Sequence, residues 1–73
     1  MRIIMRTHED RQAEANTRRI IARLLREGWI PVDGGGHDKF AAPARPGVLI
    51  IVPRHREVSP GVARDIAKKA GWQ

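Results

Sequence analysis

Seventy-three residues allow one domain with a thin core, because a chain of this size buries only about 60% of the surface its unfolded form exposes. A hydrophobic fraction of 41%, a charged fraction of 30% and a mean hydropathy of -0.45 exclude a disordered tail, and no run approaches the roughly 18 consecutive apolar residues that span a bilayer. With no cysteine the chain forms neither disulfides nor thiolate metal sites, while a net charge of +6 favours a polyanionic partner, since each cation set on a phosphate releases condensed counterions.

The amino terminus, Met1-Arg2-Ile3-Ile4-Met5-Arg6, is a short apolar cluster broken by arginine and lacks a small-residue cleavage site. It does not read as a secretory signal, so a cytoplasmic location is expected. The basic residues do not sit opposite a wide face of tryptophan, phenylalanine and leucine, which puts nucleic acid ahead of a membrane surface as the partner.

Over residues 17–27, Ile20, Ile21, Leu24 and Leu25 recur at i, i+1, i+4 and i+5, one side of a helix, with Arg18, Arg19, Arg23 and Arg26 on the other. Asn16 or Thr17 supplies a capping oxygen and Gly28 a left-handed stop. Residues 8–15 read as a forward extension of this helix.

Three short segments with strand character follow, at 29–33, 37–42 and 48–53. Gly34-Gly35-Gly36 and Pro43-Ala44-Arg45-Pro46-Gly47 are the turns between them, which gives an antiparallel meander. The third segment, Val48-Leu49-Ile50-Ile51-Val52, is apolar without alternation, so both faces are expected to be covered. The helices would cover one face; for the other, the Met1 to Met5 cluster and a second protein chain, including another copy of this one, remain equal alternatives.

Ser59-Pro60 opens a second helix with a cap and a first-turn proline. Val62, Ala63, Ile66, Ala67 and Ala70 form its apolar stripe, Asp65 and Lys69 an i, i+4 pair, and Gly71 its stop. The expected fold class is α+β: helix-strand-strand-strand-helix, a three-stranded antiparallel sheet with both helices against one face.

Groups able to do chemistry are few, since cysteine and tyrosine are absent and no metal-ligand spacing appears. No metal or cofactor is expected. That leaves His8 in a polar stretch, His37 after the glycines, and His55 between Arg54 and Arg56. His37 has the best setting: the glycines before it clear side chains from the approach, and imidazole titrates near neutral pH, as a base acting on a ribose 2′-hydroxyl must. Lys39, two residues along, falls on the same face and would supply positive charge, while Asp38 points away. His55, flanked by cations that disfavour its protonated form, reads with Arg54 as a phosphate-contacting loop. On residue type alone, a histidine beside a glycine turn is more often a solvated turn residue, and a basic helix face a solvated surface.

Taken together, the amphipathic helix ending in Gly28-Trp29, Gly35-Gly36-His37-Asp38-Lys39-Phe40, Val52-Pro53, Ser59-Pro60-Gly61 and Lys69-Ala70-Gly71 resemble, in that order, the HicA toxin family. The similarity runs over residues 17–72 of a single domain, with residues 1–16 as an amino-terminal extension. The family's central motif is usually Gly-Ser-His with a following phenylalanine; Gly35, Gly36, His37 and Phe40 hold those places, Gly36 replacing the usual serine and Asp38 a frequent histidine. The resemblance implies a fold like the double-stranded-RNA-binding domain and a metal-independent ribonuclease acting on mRNA. It also implies neutralisation by a HicB antitoxin that covers the active site. His37 would then be catalytic, with Gly35, Gly36, Lys39, Arg54 and His55 supporting it or contacting RNA. A non-catalytic RNA-binding module of the same fold and a protein-interaction domain are the alternatives, and RNA breakdown in the presence of a chelator separates them.

Overall fold

The computed structural model describes residues 13–32 and 35–72. In chain order these form helix α1 (Thr17–Arg26), strands β1 (Ile30–Val32), β2 (Asp38–Ala41) and β3 (Leu49–Val52), and helix α2 (Pro60–Ala70). The sheet order is β1-β2-β3, antiparallel throughout. This is the α+β meander with two helices that the pattern predicts. Among the described residues no helix is long and apolar enough to cross a membrane.

Asn16 starts α1: its backbone is extended and its side-chain oxygen accepts from the Arg19 N–H at 3.1 Å. The expected extension through residues 13–15 is not helical. Those residues are tied crosswise to the loop before α2, with the Val58 N–H donating to the Ala15 carbonyl at 2.9 Å and the Thr17 N–H to the Arg56 carbonyl at 3.0 Å. A chain whose polar groups are claimed by a distant segment cannot also supply an earlier helical turn. Residues 8–12 of that reading, His8 among them, lie outside the described residues.

Register decides which strand residues meet the helices. Phe40 pairs with Pro31 on one side and Ile50 on the other, and Asp38 pairs with Val52. Phe40, Ile50 and Val52 are buried in one cluster with Ile20 and Leu24 of α1, Ala63, Ile66 and Ala70 of α2, and Trp29 and Val58. Fully burying an aliphatic side chain contributes roughly 1.5–3 kcal/mol, so these few residues hold most of the fold. Both helices thus cover the same sheet face.

The opposite face carries Ile30 and Val32 of β1, Lys39 and Ala41 of β2, and Leu49 and Ile51 of β3. Its four large apolar side chains are exposed, at 52%, 39%, 39% and 41% for Ile30, Val32, Leu49 and Ile51. Along β3 exposed and buried residues alternate, so among the described residues only the helix-facing side of the strand is covered. A cover from the Met1 to Met5 cluster would lie outside the described residues.

Ser59 caps α2 by accepting from the Val62 N–H at 3.3 Å, and Gly71 ends it at φ +79°. Beyond it, Trp72 reaches α1: its indole N–H donates to Glu27 at 2.7 Å, and the Arg23 guanidinium lies 4.3 Å over the ring while pairing with Glu27 at 3.0 Å. The Trp72 hydrogen bond, aided by Arg23, holds the Glu27 carboxyl below its ordinary range, although burial acts against them. A carboxyl depressed on folding stabilises above its unfolded pKa and loses that contribution as pH falls through the folded value. The melting-temperature difference between wild type and Glu27→Gln should therefore shrink from neutral pH to about pH 3, as followed by circular dichroism. A constant difference would mean the cluster does not bind the two ends together.

Candidate active site

The turn between β1 and β2 sets the site. Gly35 stands at φ +74°, a left-handed angle that costs a side-chain-bearing residue about 1–2 kcal/mol. Gly36 has no such constraint, and a Cβ there meets nothing within 4 Å. His37 follows in a bend, exposed, one residue before β2 begins. The histidine is therefore not the first residue of the strand, as its position after the glycines suggests, but the last of the turn.

Two substitutions separate the glycines. Gly35→Ala should lower the melting temperature by about 4–8 °C, the equivalent of roughly 1 kcal/mol in a domain this small. Gly36→Ser should leave it close to wild type, since space and backbone angle both accept a side chain. Equal losses at the two positions in a thermal melt would contradict this assignment.

A shallow cleft of about 420 Å³ opens beside the turn, lined by Pro31, Val32, Gly35, His37, Asp38, Lys39, Phe40 and Arg54. Phe40 reaches the buried core beneath, Pro31 and Val32 form the β1 wall, and the cations approach from two elements: Lys39 from β2 and Arg54 from the loop after β3. Asp38 fixes the second of these. Its carboxylate accepts from the Arg54 Nε at 3.3 Å, and among the described residues the terminal nitrogens of that guanidinium have no protein acceptor. Arginine offers five N–H donors, so the bond orients the group while leaving donors for an incoming anion.

Sequence reasoning brings His37, Lys39, Gly35 and Arg54 to one place, and the structure does so too. It gives Asp38 a place that reasoning missed. Alternation does send Asp38 to the opposite face from Lys39, but at the end of a short strand its carboxylate still borders the cleft. The signal was the register, which sets Asp38 against Val52, two residues before Arg54. Gly36 is exposed in the turn without lining the cleft. His55 is not in the cleft either. It lines a separate groove with Asn16, Thr17, Arg18, Ile21 and Arg56, because successive residues of the bend after Pro53 send their side chains in different directions.

Chemically, the cleft offers a solvent-reached imidazole, two cations, a backbone turn without side chains, and an apolar floor. Such a site suits a phosphate-bearing substrate whose reaction needs a proton moved. Among the described residues no three of His, Asp or Glu converge as a metal-binding group.

Residues 17–72 match the family model described as the HicA toxin of bacterial toxin-antitoxin. The matched span opens on the first residue of α1 and closes just after α2, so it takes in the whole sheet and the cleft. No curated protein matches the chain.

Proposed function

The chain belongs to the HicA toxin family of bacterial toxin-antitoxin systems, and from that premise we propose that it is a metal-independent endoribonuclease that cleaves mRNA in the cytoplasm, with His37 as its catalytic group. The observation that carries this reading is the exposed His37 imidazole at the mouth of a cleft flanked by Lys39 and the Asp38-oriented Arg54. The neutral imidazole takes the proton of a ribose 2′-hydroxyl as that oxygen attacks the adjacent phosphorus. The bond from phosphorus to the 5′-oxygen breaks, the leaving oxygen takes a proton from water, and the imidazolium returns its own proton to solvent. The products are a 2′,3′-cyclic phosphate and a 5′-hydroxyl. Lys39 and Arg54 offset the charge that builds on the non-bridging oxygens, and Gly35 lets the backbone approach the ribose.

Incubating the purified protein with single-stranded RNA and a chelator tests this reading. Shortened RNA is expected, whereas retention of the RNA without breakage would leave a binding module only.

As a toxin of this kind, the protein is neutralised in our reading by a HicB-like antitoxin. The exposed apolar sheet face supports it: Val32 and Lys39 belong both to that face and to the cleft, so a protein seated on Ile30, Val32, Leu49 and Ile51 would also cover His37. Ile51→Asp should weaken antitoxin binding by tenfold or more in a calorimetric titration, about the cost of placing one charge against an apolar contact, while leaving RNA cleavage near wild type. Unchanged affinity would move the antitoxin to another surface.

A further inference from the structure

Two features at the start of α1 run against its stability. Arg18 and Arg19 occupy the first turn, which holds no acidic residue, although the positive pole of the helix dipole lies at that end and favours carboxylates. Glu14 meets Arg19 at 3.9 Å, but among the described residues Arg18 forms no ion pair. The second feature is Thr17, 9% exposed, whose Oγ1 is sealed from solvent with no hydrogen-bond partner. A buried polar group left unsatisfied costs roughly 1–3 kcal/mol.

Both features border the same groove of about 430 Å³, where His55 and Arg56 come in from the loop after β3. The free backbone donors there are also nearly used up. The Thr17 N–H is taken by the Arg56 carbonyl and the Arg19 N–H by the Asn16 side chain, which leaves the Arg18 N–H as the open one of the first three. An anion in the groove would meet that N–H and the Arg18 and Arg56 guanidiniums, and a turn of the Thr17 side chain about χ1 would bring its sealed hydroxyl to the same anion. Glu57, whose backbone bridges Asn16, follows Arg56 directly in the chain and does not line the groove.

We propose that this groove is a second RNA-backbone site, holding a phosphodiester next to or a few steps from the one in the His37 cleft. The proposal deepens the RNA-cleaving reading and rests on it for the identity of the anion. Arg54 of the cleft and Arg56 of the groove are two residues apart in one bend, so at most about 7 Å of chain separates their Cα atoms. One loop therefore serves both sites, and the strand is held on both sides of that loop. His55 keeps the role of backbone contact that its sequence setting suggests, but in this groove.

The test uses the full chain and an uncleavable 2′-O-methyl single-stranded RNA, with affinity followed by fluorescence anisotropy across a salt series. Arg18→Ala with Arg56→Ala should weaken binding about tenfold and flatten the salt slope by about 0.7, the value expected for one phosphate contact on a single strand. Arg64→Ala with Lys68→Ala, which removes the same charge from the exposed side of α2, should change the slope by much less. Thr17→Val should raise the melting temperature while weakening RNA binding several-fold, a combination that a purely structural threonine would not produce. Affinity and slope at wild-type values in the first pair, or changes equal to those of the α2 pair, would overturn the proposal. The two readings fail separately: wild type that cleaves RNA with an unchanged slope in the groove variant sinks the groove alone. Wild type that does not cleave, with the slope lost in that variant, sinks the nuclease and keeps the groove.

Discussion

Replacing His37 with alanine is expected to slow RNA cleavage by about 10²–10⁴-fold, the range that general acid-base catalysis contributes, and to abolish growth arrest in cells producing the protein. The fold should not notice the change. His37 is exposed in a bend, donates and accepts no hydrogen bond among the described residues, and lies outside the buried cluster. The far-ultraviolet circular dichroism spectrum and melting temperature should therefore match wild type, which separates a chemical loss from a structural one. Lys39→Ala should cost less, because Arg54 still supplies positive charge to the cleft. Toxicity retained by the His37 variant would remove the histidine from the chemistry whatever its position.

Phe40→Ala should have the opposite signature, losing activity through the fold. Phe40 is 3% exposed, lies at the centre of the sheet between Pro31 and Ile50, and forms both the floor of the cleft and a wall of the core. Truncating a buried phenylalanine costs about 3–5 kcal/mol, and a domain of this size rarely has more than about 3–5 kcal/mol to lose. The variant should be largely unfolded at 37 °C, with its helical circular dichroism signal collapsed. Phe40→Leu, which keeps most of the volume, should fold and retain measurable cleavage. A folded, stable alanine variant would show that the helices, not the sheet, hold the core together.

Much of this architecture is written in local patterns that survive tertiary packing. Ile20 and Leu24 are buried as the helical spacing requires, and Asn16, Ser59 and Gly71 cap and stop the helices by the chemistry their side chains suggest. The α2 stripe is likewise buried at Ala63, Ile66, Ala67 and Ala70, with Val62 half-buried at its edge. Where the pattern overstates burial, the cause is the thinness of the domain. Leu25 is 49% exposed although it follows Leu24, because one sheet face touches only a narrow stripe of the helix. The same limit governs β3: Leu49 and Ile51 look like core in a linear reading, yet there is no second layer among the described residues to receive them.

The site was legible to the extent that it is local. A glycine turn placing a histidine beside a lysine two residues later can be read directly, and it positions His37 and Lys39 in one cleft. What needed the third dimension was pairing across strands. Asp38 and Arg54 are 16 residues apart, and only the β2-β3 register brings a carboxylate to orient that guanidinium. The separation of Arg54 from His55 was equally invisible, because adjacent residues in a bend can serve different surfaces. The sequence marks Thr17 only as a candidate cap and Arg56 only as a cation beside His55, since a first-turn threonine and a loop arginine are ordinary until the loop after β3 is folded against α1.

If a 2′-hydroxyl of RNA gives up its proton to His37, the ends of the cut strand record it. One RNA is offered in two forms, ordinary and fully 2′-O-methylated, to the purified protein in the presence of a chelator, and the ends of every product are identified. Breakage of the ordinary strand alone is expected, leaving 2′,3′-cyclic phosphate and 5′-hydroxyl ends. Equal breakage of the methylated strand would contradict it, because there the proposed nucleophile does not exist.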